Sequence, residues 1–399
     1  MIPLEDAYAR VLAGCHRSEP IVVPVSEALG LVLAEPVSAA ENIPPFPNTA
    51  MDGFAVRAAD TVGAPQLLDI VGTIAAGHAL DIHIGPGQAA RIMTGAPMPD
   101  GTDAVIMVEL TSVADDGHQV EVQAEVLVGN HVRNAGEDVV EGQEVFAPGT
   151  VLGPGHVGML CSLGRTEVRA YPRPRVGVIS TGDELVEGSQ PLQPGQIRDS
   201  NRRTLLSLVA QAGATPIDLG LVRDDEDAIR VALIDGAASC DAVISSGGVS
   251  MGDFDFVKKV LSEIAEMSWM QVAIRPAKPL AFGTIGNTPV FGLPGNPVSS
   301  MVSFELFARS GLRKMMGHEV LARQPLVGVA KHDMLRQSDG KTHFARVAVE
   351  YVNGRYHFGS AGGQGSHQLA AMAHAGALAV FPDGAGVKAG ETADLLIIE

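Results

Sequence analysis

The 399-residue sequence is poor in aromatic residues and in cysteine. Aromatic side chains make up 4% of the chain, so we do not expect the stacking platforms that bind single-stranded nucleic acid. The three cysteines, Cys15, Cys161 and Cys240, lie far apart without a CxxC pair and suggest neither a disulfide framework nor a structural zinc site. The 12 histidines form no HExxH motif and no close His/Cys cluster, so zinc hydrolysis lacks ligands.

Long apolar runs and excess positive charge are also lacking. No apolar run reaches the ~18 residues of a membrane span. The first residues, MIPLEDAYAR, are acidic where a signal peptide is basic, so we expect a cytoplasmic protein whose thiols stay reduced. The net charge of −18 repels polyanions, and we expect no nucleic-acid or membrane partner. One small anion held locally with a cation remains compatible with that charge.

Glycine and proline are plentiful, with 46 and 25 residues, which predicts many turns and short elements. The length predicts two to four domains. Residues 4–15 have helical spacing, residues 66–128 resemble short strands of a small β unit, and LGPGHVGMLCSLG predicts a short helix. GPGHVG matches GxGxxG, but no strand and long helix flank it, so a dinucleotide site is not supported. The prolines of YPRPR, residues 171–175, indicate a domain boundary.

After this boundary, strand and helix patterns alternate. RVGVIS, TPIDLGLV and DAVISS predict strands, and SNRRTLLSLVAQAG predicts a helix that Ser200 caps. Further strand patterns precede a final helix, PVSSMVSFELFARSGLRKMMG. This alternation predicts a parallel sheet with helices on both faces. From about residue 319 short strand patterns return, which predicts another small β domain.

Three polar loops follow predicted strands: STGDEL (180–185), SGGVSMGDFD (246–255) and GLPGNPVSS (292–300). The carboxyl ends of parallel strands share one rim, where ligands bind in open α/β sheets. The glycines and Ser299 suit a phosphate, but acidic side chains on the same rim would repel it unless a hard cation lies between them. The loops therefore predict a site for phosphate and magnesium, formed from Gly247, Gly248, Gly295, Pro297, Ser299, Glu184, Asp253 and Asp255.

Each of these features also has a simpler interpretation. Gly, Asp, Ser and Pro are ordinary turn residues, and Asp224 in LVRDDED could begin the following helix. Lys278 in KPLAFG is either a phosphate partner or a surface charge. Ser366 in QGSHQL is either a polar contact or a helix cap.

Several longer motifs occur together: PPFPNTAMDGFAV, RIMTGAP, AGEDV, STGDEL, SGGVSMGDFDF, KPLAFG, GLPGNPVS and GGQGSH. In these motifs and their order, the chain resembles the MoeA-like molybdopterin molybdenumtransferases, the family that includes the gephyrin E domain, along essentially its whole length. The resemblance implies an elongated homodimer whose central parallel α/β sheet, of the molybdopterin-binding type, is flanked by small β domains. The implied domains are residues 1–39 with 135–171 for dimerisation, a β-rich domain at 40–134 that contributes to the partner's site, an α/β domain at 172–318, and a β-barrel-like domain at 319–399.

The resemblance also implies the activity. Family members join molybdate to the dithiolene of adenylylated molybdopterin, with magnesium, and release AMP as molybdenum cofactor forms. Two alternatives stay open: a molybdopterin adenylyltransferase, and a non-catalytic assembly scaffold of the gephyrin kind. Transient contacts with the adenylyltransferase and with molybdoenzyme chaperones would fit the same role.

The motifs carry the family's site residues onto this sequence. The catalytic set is Asp52, Asp138, Glu184, Asp224 and Asp255. Of these, Glu184, Asp224 and Asp255 are the candidate magnesium ligands. The substrate-binding set is Thr94, Gly247, Gly248, Arg275, Lys278, Pro294, Gly295, Pro297, Ser299, Arg346 and Ser366. The sequence departs from the family pattern at Thr49, Phe54, Phe256, Gln271 and Arg275, where Gln271 lacks a frequent lysine charge and Arg275 keeps a cationic donor suited to an oxyanion.

Overall fold

The structure, a computed structural model, describes residues 1–77, 82–247 and 256–398. The chain forms two compact units, each described by itself below. The first comprises Met1–Val23, Gly30–Ala34 and Arg169–Glu399, and the second comprises Pro24–Leu29 and Glu35–Val168. The second unit is therefore an insertion in the sequence of the first. The four domain boundaries that the resemblance implies remain a prediction. In the described ranges, no helix has both the length and the apolar character needed to cross a membrane.

The first helix forms as its spacing predicts, because Ala7 and Val11 are buried on one face and Glu5 and Asp6 occupy the first turn. The N–H of Ile2 donates to the Gln271 carbonyl at 2.8 Å. The elements up to residue 171 are α1 Leu4–Gly14, β1 Ile21–Pro24, β2 Val32–Leu33, β3 Val37–Ser38, β4 Asn48–Thr49, β5 Gly53–Val56, β6 Gln66–Ile74, β7 Gln88–Ile92, β8 Ala104–Met107, β9 Thr111–Val113, β10 Gln119–Val122, β11 Val132–Arg133, β12 Glu144–Phe146, α2 Pro154–Ser162 and β13 Glu167–Tyr171.

The inserted unit contains a six-stranded sheet in the order β8-β5-β7-β6-β10-β9. Successive residues of β5 point to opposite faces, so Phe54 and Val56 enter one apolar cluster and Ala55 enters another. Apolar clusters therefore cover both faces of this sheet. The β character expected for 66–128 is confirmed. Within the last part of that range, QVEVQAEVLV (119–128), only β10 is strand, and Leu127 is 77% exposed.

The first unit continues with alternating strands and helices. These are β14 Arg175–Thr181, β15 Leu185–Val186, β16 Ile197–Arg198, α3 Asn201–Gln211, β17 Thr215–Val222, α4 Glu226–Ser239, β18 Ala242–Ser246, α5 Phe256–Ile264, β19 Glu266–Gln271, β20 Ile274–Arg275, β21 Pro279–Ile285, β22 Thr288–Leu293, α6 Pro297–Ser303 and α7 Arg309–Met315, with a π-helical segment, Phe304–Ala308, between the last two.

These strands form a sheet in the order β17-β14-β18-β22-β21-β19. Strands β17, β14, β18 and β22 are mutually parallel, as predicted, but β21 and β19 are antiparallel. The difference arises because β21 and β22 are joined by a short hairpin, which cannot connect parallel strands. Helices α1, α3, α6 and α7 pack into one apolar cluster, and α4 and α5 pack into another, so both faces are covered.

Two predicted helix caps differ in the structure. Ser200 precedes α3 but makes no capping hydrogen bond, and Asp199 instead accepts from the N–H of Arg202 at 3.1 Å. Ser366 does not cap α8 (Leu369–Ala373), which begins after Gln368. Its carbonyl instead accepts from the Val298 N–H at 3.1 Å, which ties this loop to α6.

The C-terminal strands are β23 Leu326–Ala330, β24 Met334–Leu335, β25 Thr342–Val352, β26 Arg355–Ser360, β27 Ala377–Phe381, β28 Gly386–Val387 and β29 Thr392–Ile397. Five of them close into a ring in the order β25-β26-β23-β29-β27, because β27 also pairs with β25. Strand β20 pairs in parallel with β25 and brings Arg275 beside His343. The expected small β domain is therefore observed.

Candidate functional site

A cleft of about 610 Å³ lies at the carboxyl ends of the parallel strands. Residues that follow β14, β17, β18 and β22 all line it, which confirms that the predicted loops share one rim. We call it the acidic cleft because Glu184 and Asp224 both lie in its wall. The predicted residues among its lining are Glu184, Asp224, Gly247, Gly295 and Pro297.

Glu184 is positioned by the turn after β14. Its carbonyl accepts from the Ile197 N–H at 2.8 Å, which fixes the backbone through the β15–β16 pair. A Cβ atom at Gly182 would lie 2.6 Å from Glu184 Oε2, so glycine leaves the space that this carboxylate occupies. The glycine of the GDEL motif therefore leaves room for the carboxylate of Glu184.

Asp224 lies in the cleft and does not cap the following helix. The capping residue of α4 is its neighbour Asp225, whose carboxylate accepts from the Ala228 N–H at 2.8 Å. The Asp224 N–H donates to Asp183 Oδ1 at 3.3 Å. The capping alternative for Asp224 is therefore wrong, and its carboxylate belongs to the cleft wall.

The glycine loops approach one another closely. A Cβ atom at Gly295 would lie 3.9 Å from the Cα of Gly247. Gly247 has φ +96°, which favours glycine, and its N–H donates to the Leu293 carbonyl at 2.9 Å. That N–H is engaged within the protein, so the predicted use of this amide for phosphate does not fit. Pro294 is buried. Gly248, Asp253 and Asp255 lie outside the described residues.

The described part of the cleft fits a hard divalent cation in the chemistry of its donors. Glu184 and Asp224 both supply carboxylate oxygens, and Mg²⁺ is commonly bound through one or two carboxylates together with substrate phosphates and water. Within residues 1–77, 82–247 and 256–398, no group of three or more His, Cys, Asp or Glu side chains could hold a metal ion. The two carboxylates therefore match a magnesium that is shared with a phosphorylated ligand.

A second pocket, of about 290 Å³, gathers positive charge. Arg275, Lys278 and Lys341 line it together with the predicted Ser299 and Ser366, and none of the described residues in its lining is acidic. We call it the cationic pocket. In the described part of the chain, neither Arg275 nor Lys278 lies within ion-pair distance of a carboxylate, so both charges are available to an anion.

The turn that carries these cations has unusual backbone geometry. Ala277, between Pro276 and Lys278, has φ +75°, which side chains other than glycine rarely adopt. The residue is buried, and β20 and β21 hold the turn on either side. Arg275 and Lys278 are therefore presented from a fixed turn between two strands.

Arg346 is fully buried on β25. Its Nη2 donates to the carbonyls of Gly363 and Gly365, at 2.8 and 3.2 Å, and burial lowers the pKa of its guanidinium. Arg346 and Arg275 both line a larger cavity of about 920 Å³. In this structure Arg346 holds the Gly363–Gly365 loop, so its predicted contact with substrate has no direct support from the geometry.

The inserted unit brings Asp52 and Thr94 together. Thr94 donates both its N–H and its hydroxyl to Asp52 Oδ1, at 2.7 and 2.8 Å. These hydrogen bonds, assisted by the charge of Arg91, lower the pKa of the Asp52 carboxyl, although partial desolvation opposes them. Both residues are exposed, as is Asp138, whose N–H donates to the Ile43 carbonyl at 2.9 Å.

The lining of these two pockets includes polar residues that the sequence prediction missed, among them Asn201 and His367 in the acidic cleft and Lys341 in the cationic pocket. The sequence around Lys341 is typical of a charged surface turn and therefore did not indicate a binding site. Its Nζ lies 2.9 Å from Asp339 Oδ2.

Among the departures from the family pattern, Thr49 keeps a hydroxyl that donates to the Met51 carbonyl at 2.7 Å. Phe54 is buried, and Phe256 lines the acidic cleft.

Comparison with known proteins gives a consistent result. Residues 2–164 match the MoeA N-terminal region (domain I and II), residues 177–314 a probable molybdopterin binding domain, and residues 331–398 the MoeA C-terminal region (domain IV). The chain is 38% identical to a molybdopterin molybdenumtransferase of Haemophilus influenzae, covering 98% of this chain and 97% of that one. It is also 38% identical to molybdopterin molybdenumtransferase 2 of Mycobacterium tuberculosis, covering 94% of each. The crystal structure of a molybdopterin biosynthesis moeA protein from Pyrococcus horikoshii OT3 superposes with a TM-score of 0.82 at 29% identity, covering all of both chains.

Proposed function

The chain belongs to the MoeA family of molybdopterin molybdenumtransferases, and on that premise we propose that it joins molybdate to adenylylated molybdopterin and releases AMP, forming molybdenum cofactor. The observation that carries the assignment of its pockets is their opposite charge. Three carboxylates and one cation, Arg198, line the acidic cleft, whereas the described lining of the cationic pocket has three positive side chains and no acid. Two chemically different anions can therefore be held side by side.

The cationic pocket suits molybdate. A tetrahedral oxyanion with two negative charges needs cations and hydrogen-bond donors, which Arg275, Lys278 and the two serines Ser299 and Ser366 supply. The forked guanidinium of Arg275 can donate two parallel hydrogen bonds to such an anion. Lys341 is neutralised in part by Asp339, so we assign most of the attraction to Arg275 and Lys278.

The acidic cleft suits the phosphorylated end of the adenylylated pterin. Glu184 and Asp224 would hold Mg²⁺, which when bound neutralises negative charge on the phosphoanhydride. Without a cation these carboxylates would repel the same group. Gly247 and Gly295 have no side chains and leave space for the substrate near the backbone.

The two pockets are linked by adjacent residues. Pro297 lines the acidic cleft and Ser299 lines the cationic pocket, and likewise His367 lines the first and Ser366 the second. The start of α6 and the loop before α8 therefore lie between the two proposed substrates. Molybdate held at Ser299 and Ser366 would need to pass only this boundary to reach a dithiolene in the cleft.

The proposal includes a cytoplasmic homodimer, as the resemblance implies. In that arrangement the partner subunit supplies the carboxylate at position 52 to orient the attacking group. The exposed Asp52, with its lowered pKa, is suited to this task because it stays ionised at neutral pH. Asp138 and Asp255 remain proposed members of the catalytic set on the motifs alone. Transient contacts with a molybdopterin adenylyltransferase and with molybdoenzyme chaperones belong to the same proposal.

The activity is tested by incubating the protein with adenylylated molybdopterin, Mg²⁺ and molybdate and following AMP by chromatography. We expect AMP release that depends on both added ions. An adenylyltransferase would instead consume ATP and molybdopterin, and a scaffold would release no AMP. Either of those results would contradict the proposal.

The pocket assignment is tested by two substitutions. Lys278→Ala removes a cation, so we expect the KM for molybdate to rise about tenfold or more, since a charged hydrogen bond contributes about 1.5–3 kcal/mol. Glu184→Gln should lower AMP release and raise the Mg²⁺ concentration needed for half-maximal rate. Lys388→Ala, an exposed lysine that lines neither pocket, is the control and should leave both constants unchanged. An unchanged KM for molybdate in Lys278→Ala would remove molybdate from the cationic pocket.

A further inference from the structure

The segment Asp199–Arg202, with the sequence DSNR, connects the end of β16 to the first turn of α3 at the edge of the acidic cleft. Asp199, Ser200 and Asn201 line the cleft, yet the motifs assign none of them a role. The segment is 45 residues from Ser246 and 94 residues from Gly295 in sequence, as measured from Asn201. In the folded protein it lies against both of them.

Asn201 joins the two glycine loops through a single nitrogen. Its Nδ2 donates to Ser246 Oγ at 2.8 Å and to the Gly295 carbonyl at 2.7 Å. A carbonyl oxygen only accepts, so the atom that faces Gly295 must be the amide nitrogen and not the amide oxygen. Both amide hydrogens are thus used. Ser246 ends β18 immediately before Gly247, whereas Gly295 belongs to the loop after β22.

Asn201 is itself held by a buried ion pair. Asp199 Oδ1 accepts from Ser180 Oγ at 3.2 Å and from the Arg202 N–H at 3.1 Å, and Oδ2 accepts from Arg202 Nε at 3.0 Å. Arg202 is 2% exposed and also contacts Asp218 on β17. A buried pair whose oxygens are all hydrogen-bonded has one strongly preferred geometry. The side chain of Asn201 therefore projects from a backbone that is tied to both β14 and β17.

We propose that Asn201 is a positioning residue that sets the distance between the Gly247 and Gly295 loops, and through it the binding of the phosphorylated part of the adenylylated pterin. This inference rests on the proposed function and deepens it. The Gly247 N–H donates to the Leu293 carbonyl and already connects the ends of β18 and β22. The hydrogen bonds of Asn201 are a second connection between these loops. Asn201 lines only the acidic cleft, so molybdate in the cationic pocket should not depend on it.

The test compares Asn201→Ala and Asn201→Asp with the unaltered protein. Alanine removes both hydrogen bonds, and an ionised aspartate cannot donate to the Gly295 carbonyl. We expect the KM for adenylylated molybdopterin to rise about tenfold or more in Asn201→Ala, because two hydrogen bonds of about 1 kcal/mol each are lost. It should also rise in Asn201→Asp, because the carboxylate can accept from the Ser246 hydroxyl but loses the bond to the Gly295 carbonyl and repels that oxygen. The KM for molybdate should change less than about twofold.

Two further readouts distinguish positioning from general damage. A protonated aspartate can donate one hydrogen, so relative to the unaltered protein Asn201→Asp should recover activity as the pH falls from 8 to 5, whereas Asn201→Ala should not. Ser207→Ala, on the exposed side of α3, is the control and should leave both KM values unchanged. Hydrogen exchange at residues 246, 247, 295 and 296 should accelerate in Asn201→Ala, while residues 176–179 in β14 keep their protection.

Each outcome bears on one claim. If the unaltered protein releases no AMP, the proposed function fails, but the exchange experiment still decides whether Asn201 holds the loops. If the unaltered protein is active and Asn201→Ala changes neither KM, or changes both equally, the positioning role is wrong. Unaltered exchange at the two loops would also overturn it.

Discussion

The pairing of Asp52 with Thr94 shows how one residue can set the charge of another. Two donors converge on a single oxygen of Asp52, and hydrogen bonds to an ionised carboxylate favour that form. The pKa of Asp52 is therefore below its ordinary value, and the side chain stays ionised to lower pH than an isolated aspartate.

Replacing Thr94 by valine removes the hydroxyl donor and keeps the backbone donor, so we expect the pKa of Asp52 to rise toward its ordinary value. The acid limb of kcat/KM should then move to higher pH, because Asp52 becomes protonated at a higher pH. NMR titration of the Asp52 carboxyl carbon measures the shift directly. Thr94→Ser keeps the hydroxyl and should leave the titration unchanged; equal titrations for valine and serine would contradict this account.

Single residues of the site could be predicted only where local sequence exposes their chemistry. Glu184 and Asp224 could be identified because each follows a strand whose carboxyl end reaches the rim. Asn201 could not, because its role depends on two loops that are distant in sequence. The pairing of Asp52 with Thr94 likewise depends on the pairing of β5 with β7, which brings together residues 42 positions apart.

At the scale of elements, the end of α7 is closed by a Schellman motif. The Gly317 N–H donates to the Lys314 carbonyl and the His318 N–H donates to the Arg313 carbonyl, both at 3.0 Å. Gly317 has φ +80°, and a Cβ atom there would lie 2.2 Å from the ring of Tyr171. Glycine is therefore required both by the backbone angle and by the neighbouring ring.

Gly317→Ala should lower the free energy of unfolding by about 2–4 kcal/mol, since the left-handed conformation costs about 1–2 kcal/mol and overpacking adds a similar amount. Gly164→Ala is a matched control. Gly164 ends α2 with the same hydrogen-bond pattern and φ +68°, but a Cβ atom there meets nothing within 4 Å. Urea unfolding should show the larger loss for Gly317→Ala, and equal losses would mean that the Tyr171 ring moves aside without cost.

Most elements of the α/β region could be predicted from hydrophobic periodicity, because apolar spacing differs between buried strands and amphipathic helices. The direction of β21 and β19 could not, since it depends on how the chain returns after α5. The cap of α3 was assigned to Ser200 because serine is a favoured cap residue, but the buried pair with Arg202 selects Asp199 instead.

At the scale of the whole molecule, each unit buries its own apolar clusters. Phe54 belongs to a cluster of the inserted unit, and Phe291 belongs to a cluster of the first unit. Both side chains are 0% exposed. Because the clusters share no residue, a cavity in one removes contacts from that unit alone.

Phe54→Ala should cost about 3–5 kcal/mol within the inserted unit. We expect hydrogen exchange to accelerate at amides of β5, β7 and β8, while amides of β14 and β18 keep their protection. Phe291→Ala should give the reverse pattern. Loss of protection in both units from either substitution would show that the chain unfolds as one cooperative body.

The alternation of strand and helix patterns predicts an α/β sheet with small β units, and the structure contains these parts. The closed ring of the C-terminal strands could not be derived from periodicity, because the ring is closed by hydrogen bonds between β27 and β25, which are distant in sequence. Hydrophobic periodicity also could not predict that one unit is inserted into the sequence of the other. It follows from contacts between segments that are far apart in the chain.

That insertion governs the order of events on the ribosome. The carbonyl of Leu12 in α1 accepts from Lys314 Nζ at 2.7 Å, a residue translated some 300 positions later. Residues 24–168 leave the exit tunnel long before that lysine does, and they already contain every strand of their own sheet. The inserted unit can therefore fold first, whereas α1 gains its contacts with β21 only after residues 279–285 are made and its contact with Lys314 only when nearly four-fifths of the protein has been synthesised.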